Sequence, residues 1–156
     1  MDRPKNVIVL VVLWLVLAGL FMIWGGYSFK IVLDVPTWLD VLPQDLKTEF
    51  ELLTPILHFG YLLSTIIWLV FSVVFIIFSY GTFKKDHRVW TSGLIVSTIF
   101  IAIFALMLAS FIVNVIMFKD DFSIWGLVTS IMVFFTDLGI IFFLTRPVTK
   151  LYFELD

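Results

Sequence analysis

The sequence predicts an all-α, polytopic membrane protein: an antiparallel bundle of four transmembrane helices, with short interfacial helices in the first outer loop. Three observations carry that prediction. First, 62% of the 156 residues are hydrophobic and only 14% are charged, with a mean hydropathy of +1.12. A soluble core of this size cannot bury such an excess, so the solvent for most of the chain is hydrocarbon. Second, the chain contains long stretches without charge. Third, its basic and aromatic residues sort onto two sides of one threading.

Crossing a hydrocarbon core about 30 Å thick takes about 20 apolar residues in helix. No charge occurs between Asn6 and Phe29 or from Val89 to Phe118. From Leu52 to Phe83 the titratable groups are His58 and tyrosines, and from Phe122 to Thr145 there is only Asp137. These stretches place the spans at 7–27, 56–80, 90–117 and 124–144 of a single transmembrane domain, with an outer loop at 28–55. The first could be read as a cleaved signal, since Arg3 and Lys5 precede it. Its apolar run far exceeds the about 7–15 residues of such a region, so it is expected as a retained span. The third is longer than one bilayer requires and is expected to tilt or to pass beyond the interface.

Arg3, Lys5, Lys84, Lys85, Arg88, Arg146 and Lys150 fall on one side of this threading, and Lys30, Lys47 and Lys119 on the other. That asymmetry predicts a multi-pass protein of the cell membrane with both termini cytoplasmic. Trp24, Trp38 and Trp125 outside, and Trp90 inside, are expected as interface anchors, together with Arg146. GTFKKDHRV and KDDFS are tight connections that force antiparallel neighbours. The 28–55 connection is the one sizeable extramembrane piece. Pro43 opens a helix there, Leu46, Phe50 and Leu53 share a face, and Thr37 to Leu42 form a shorter turn. A pair of interfacial helices capping the bundle is the simpler reading, and a partner-docking surface the sharper one.

In lipid, helices associate through close backbone approach and polar side chains. His58, Thr65, Ser72 and Ser79 recur every seven residues on the second span, the period of one seam in a left-handed bundle. Ala102, Ala105 and Ala109 continue a small-residue stripe from Thr98 on the third, and Gly126, Ser130, Val133 and Asp137 make one on the fourth. These stripes are expected to meet, with phenylalanines and leucines opposite facing lipid.

Asp137 lies in FFTDLGIIFFL, eight residues before Thr145, and therefore about 12 Å deep at 1.5 Å per residue. Trp14, Ser72, Ser97 and Thr98 fall at the same depth on the other spans, so an intramembrane polar cluster of these five is expected. An acid facing lipid would cost roughly 2.5–3.5 kcal/mol on insertion scales. Facing inward without a cation at that depth, the carboxyl is expected to be protonated. It then either fixes helix register, handles a proton or cation, or pairs with a basic residue of another subunit.

Other chemistry is thinly represented. Net charge is −2 and cysteine is absent, which excludes a basic nucleic-acid surface and all thiol chemistry. His58 and His87 fall on opposite membrane faces and cannot share a metal. A site built from His58, Asn114 and a carboxylate of Glu49, Glu51, Asp120 or Asp121 is conceivable, but metals of this kind want more imidazole or thiolate. No nucleophile set, phosphate loop or dinucleotide fingerprint appears, so neither a cofactor nor a catalytic activity of its own is expected. Expected partners are the lipid bilayer and other integral membrane subunits or a second copy. A small carrier using Asp137, and an outer-face enzyme acting on lipid or quinone through His58, are the other readings.

The closing segment LTRPVTKLYF has its own mechanism. Arg146 anchors at the headgroups, Pro147 ends the helix, and Tyr152 and Phe153 lie back on the interface. This ending resembles that of many small, uncharacterised four-span membrane proteins of archaea and bacteria, a likeness that implies layout and no activity. The small size and Ile/Phe/Lys-rich style also resemble accessory subunits of archaeal ammonia monooxygenase and similar membrane complexes. That resemblance implies a scaffold, because the copper-binding histidine clusters of catalytic subunits are missing.

Overall fold

The structure is a computed structural model and describes residues 4–41, 44–118 and 124–153. Side chains are described for these residues apart from 35–41, 44–46, 48–49, 114–118 and 125. Five helices follow one another: α1 Lys5–Val41, α2 Gln44–Phe83, α3 His87–Phe118, α4 Ile124–Leu144 and α5 Pro147–Tyr152. No strand occurs among the described residues. Stretches of α1 to α4 over Lys5–Asp34, Phe50–Phe83, His87–Val113 and Gly126–Leu144 are long and apolar enough to cross a membrane.

The outer connection differs from expectation. Separate interfacial helices over 28–55 are replaced by extensions of α1 and α2, whose 37 and 40 residues correspond to about 55 and 60 Å of helix. The physical reason is the absence of a breaker strong enough to stop either helix. Residues 30–55 contain no glycine, and QDLKTEFELL is rich in strong helix formers. Pro55 sits inside α2, where it removes one backbone hydrogen bond without ending the helix. Phe50 and Leu53, expected to line a face, are 41% and 49% exposed. Pro43, the 119–123 connection with Asp120 and Asp121, and the side chains of Leu46, Glu49, Asn114, Trp38 and Trp125 lie outside the described residues.

The chain divides into two compact units, Met1–Leu17 with Phe75–Asp156, and Ala18–Val74. The first contains segments of all four long helices and α5. Its core is aromatic: Trp14 stacks on Phe75 at 5.7 Å and meets Phe78 edge-on at 5.1 Å, and Phe75 contacts Phe100 at 5.7 Å. The expectation that phenylalanines face lipid is therefore corrected for these rings. Offset and edge-to-face aromatic pairs supply packing that lipid does not match. Ser79 Oγ donates to the Val11 carbonyl at 3.4 Å and ties α2 to α1.

The turn between α2 and α3 is tight. Lys85 takes a left-handed φ of 60°, and the N–H of Asp86 donates to the Gly81 carbonyl at 3.0 Å. Asp86 Oδ1 then accepts the Arg88 N–H at 3.0 Å, capping the start of α3. A Cβ added at Gly81 would overlap Val89 Cγ2, so this approach requires glycine. At the other corner, Trp90 Nε1 donates to the Leu144 carbonyl at 2.9 Å, capping the end of α4. Arg146 lies over the Phe142 ring at 4.1 Å. Pro147 does end α4, but the chain turns into α5, which returns Tyr152 and Phe153 to the protein. They are 8% and 3% exposed rather than lying out on the interface. Tyr152 Oη donates to the Phe83 carbonyl at 3.4 Å.

The second unit pairs the remaining parts of α1 and α2 antiparallel. Ser72 Oγ donates to the Ala18 carbonyl at 2.9 Å, Ser28 Oγ meets Ser64 Oγ at 3.4 Å, and His58 Nε2 lies 2.7 Å from the Val32 carbonyl. Trp24 packs edge-on against Trp68 at 4.9 Å. Gly25 is buried in this seam, where a Cβ would sit 3.1 Å from Leu69. The seven-residue stripe of α2 thus packs on α1, with Ser79 belonging to the first unit and the other three to the second.

Candidate functional site

Three helices of the first unit converge on Asp137. On α4, Ser130, Val133, Asp137, Ile140 and Leu144 form the buried face, at spacings of three and four that keep them on one side of a helix. On α1 the matching face is Val7, Leu10, Trp14 and Leu17. On α3 it is Val89, Gly93, Ser97, Phe100 and Phe104. This last face corrects the expected one. Ala102, Ala105 and Ala109 are exposed, as is Thr98, whose hydroxyl donates to its own Leu94 carbonyl at 2.7 Å. The reason lies in volume. The buried indole of Trp14 comes so close to α3 that a Cβ on Gly93 would lie 2.9 Å from its Cζ2, so only the glycine-bearing side of α3 can face it.

Asp137 is fully buried, with 0% of its surface exposed. Ser97 faces the carboxyl, but neither carboxyl oxygen nor the Ser97 hydroxyl makes a well-formed hydrogen bond among the described residues. Trp14 Nε1 is equally without a partner there. It occupies the same ring edge as Cζ2, the atom against Gly93, and Gly93 is one turn from Ser97. Gly139, two residues beyond Asp137, packs near Leu13, whose Cδ1 lies 3.4 Å from a Cβ built there. Trp14, Ser97 and Asp137 thus occupy neighbouring turns of α1, α3 and α4.

The five-residue cluster is therefore reduced by two members. Ser72 has its hydroxyl committed to Ala18 in the other unit, and Thr98 points outward. Three further residues join the buried unpartnered set: Ser130, read in the sequence as a packing residue, and Thr82 and Thr149, which were not singled out. A signal for Thr82 existed, since it follows Ser79 by three residues on the α2 seam. Thr149 had none, because it depends on α5 folding back. All six side chains belong to the first unit. An unmet buried donor or acceptor costs about 1–3 kcal/mol, which makes these side chains the natural place for an internal polar occupant.

The outer-face ideas gain little from the geometry. His58 is half-buried against the Val32 carbonyl, and no group of three or more His, Cys, Asp or Glu that could hold a metal occurs among the described residues. Gly126, the first small residue of the α4 stripe, is half-buried, and its carbonyl accepts the Thr129 hydroxyl at 3.2 Å. Thr65 is buried and bonds the Tyr61 carbonyl of its own helix at 2.9 Å. Comparison with protein-family models, curated proteins and solved structures finds no match.

Proposed function

We propose that this chain is a non-catalytic integral membrane subunit that packs laterally against other membrane proteins, with α3 as its docking helix. One observation carries the reading: the outer face of α3 bears Thr98, Ala102, Ala105 and Ala109, all exposed. Small residues at these spacings let a second helix backbone approach closely, which is how helices associate where lipid is as apolar as leucine. α3 is also the least covered span, with 17% of its apolar window buried against 28–33% for the others. The excess of positive charge at the end carrying Lys5, the 84–88 turn and Arg146 supports a cytoplasmic position for that end. A scaffold role in a larger complex is in keeping with the resemblance to accessory subunits of ammonia monooxygenase-like assemblies. Purification from native membranes in mild detergent, with sizing and mass spectrometry, tests this: reproducible co-purifying membrane chains or a defined homo-oligomer are expected, and a lone monomer would contradict it.

A second reading rests on a different observation, the fully buried acid of the first unit. Under it the chain is a small proton- or cation-coupled carrier in which Asp137 is the coupling group. Reconstituted flux that Asp137→Asn abolishes supports that reading, and flux unchanged by the substitution removes it.

A further inference from the structure

We propose that Trp14, Ser97 and Asp137 form an internal proton-binding site, in which a carboxylic acid and bound water exchange protons with the basic end of the bundle. The occupant follows from the donor set. An indole N–H only donates, a hydroxyl both donates and accepts, and a carboxyl accepts in either protonation state. A metal cation bound by oxygen takes about six or more oxygen ligands. Here Asp137, Ser97 and Ser130 offer four oxygens, and Trp14 presents the positive end of an N–H. A water molecule makes about three hydrogen bonds to otherwise unmet polar groups, and the indole, the hydroxyl and the acid are three such groups on neighbouring turns.

A proton also answers the charge problem. Among the described residues of the first unit, the other charged or basic groups are Lys5, Lys84, Lys85, Asp86, His87, Arg88, Arg146 and Lys150, all at the basic end. At the level of Asp137, α1 offers Trp14, α3 offers Ser97 and α2 offers the Phe75 and Phe78 rings that pack on Trp14, while Ser79, about one turn nearer the basic end, has its hydroxyl on the Val11 carbonyl. None is a cation. A lone carboxylate sealed here would carry a penalty of several kcal/mol, which the neutral acid avoids while keeping one O–H to donate. Thr82 and Thr149, fully buried and without hydrogen-bond partners among the described residues, supply interior hydroxyls at the basic end, the end with which the proposed site exchanges protons. The site bears on the carrier reading without depending on it, because a proton can be bound where no flux occurs.

The test is infrared spectroscopy on the full chain in lipid nanodiscs, with aspartate labelled with carbon-13 at its side-chain carboxyl. A protonated-carboxyl C=O band is expected at neutral pH, lost in Asp137→Asn and shifted on transfer to D2O. Thr82→Val combined with Thr149→Val is expected to slow that shift while leaving the band in place. Ser97→Ala and Trp14→Phe keep the acid and are expected to move the band frequency, which covers the case in which Asp137→Asn does not fold. Absence of the protonated band, a band that never responds to D2O, or a frequency unmoved by both Ser97→Ala and Trp14→Phe overturns the proposal. Flux assays are a separate readout, so failure of the carrier reading is distinguishable from failure of this one.

Discussion

Gly93 and Gly25 each let one helix approach another, yet they predict different responses to alanine. At Gly93 the added carbon meets Trp14 at 2.9 Å, and that indole is wedged against Phe75 and Phe78 with no surface exposed. Overpacking of this kind costs typically about 1–3 kcal/mol, so Gly93→Ala should lower thermal stability in detergent. At Gly25 the neighbour is the branched end of Leu69 at 3.1 Å, which can turn aside. Gly25→Ala should change stability by less than Gly93→Ala in the same melt. Asp137 shows how unevenly single residues can be read. Its inward direction was legible, because it is the only charge in its span and lipid exposure is costly. Its company was only partly so, since depth alone cannot separate Ser97 from Thr98, adjacent residues pointing about 100° apart around a helix.

For the elements, α3 carries the main lesson. Two stripes on it satisfy helical periodicity: Gly93, Ser97, Phe100 and Phe104, and Thr98, Ala102, Ala105 and Ala109. Periodicity identifies both and chooses neither. The indole of Trp14 selects the first, because only a glycine admits it, and that choice depends on a helix distant in sequence. The extension of α1 and α2 through 28–55 was missed for a local reason: prolines and charges were read as boundaries although no glycine accompanied them. The ends of α3 and α4 give two further predictions. Asp86→Ala removes the side-chain cap on the Arg88 N–H and should cost about 1 kcal/mol. Trp90→Phe leaves the last α4 carbonyl without its indole donor and should cost about 0.5–1.5 kcal/mol, both measured by denaturation in detergent.

For the molecule as a whole, composition and charge-free runs were enough for the class, four apolar helices in lipid. They could not reveal that the chain divides into a unit with segments of all four long helices and a unit with two. In the paired unit, each helix buries one stripe and leaves large apolar residues exposed on its other faces, such as Leu52 at 76% and Phe59 at 67%. In the other unit, the unmatched polar atoms lie inside and the small residues of α3 lie outside. The face proposed for lateral association is therefore exterior, and the acid is interior. Widening the α3 face with Ala105→Leu should leave the melting temperature of the isolated chain nearly unchanged, because the site is exposed. The same substitution should reduce the amount of chain recovered in any larger assembly.

The absence of cysteine makes the most direct measurement simple: single cysteines placed at Ala102 or Ala105, oxidised in native membranes and compared with one at Ile8 on the exposed face of α1. Disulfide or short-linker products confined to the two α3 positions, joining this chain to a second copy or to another membrane protein, are the predicted result. Equal labelling of all three positions by a lipid-phase reagent, with no cross-linked product at either alanine, would contradict the lateral-subunit account.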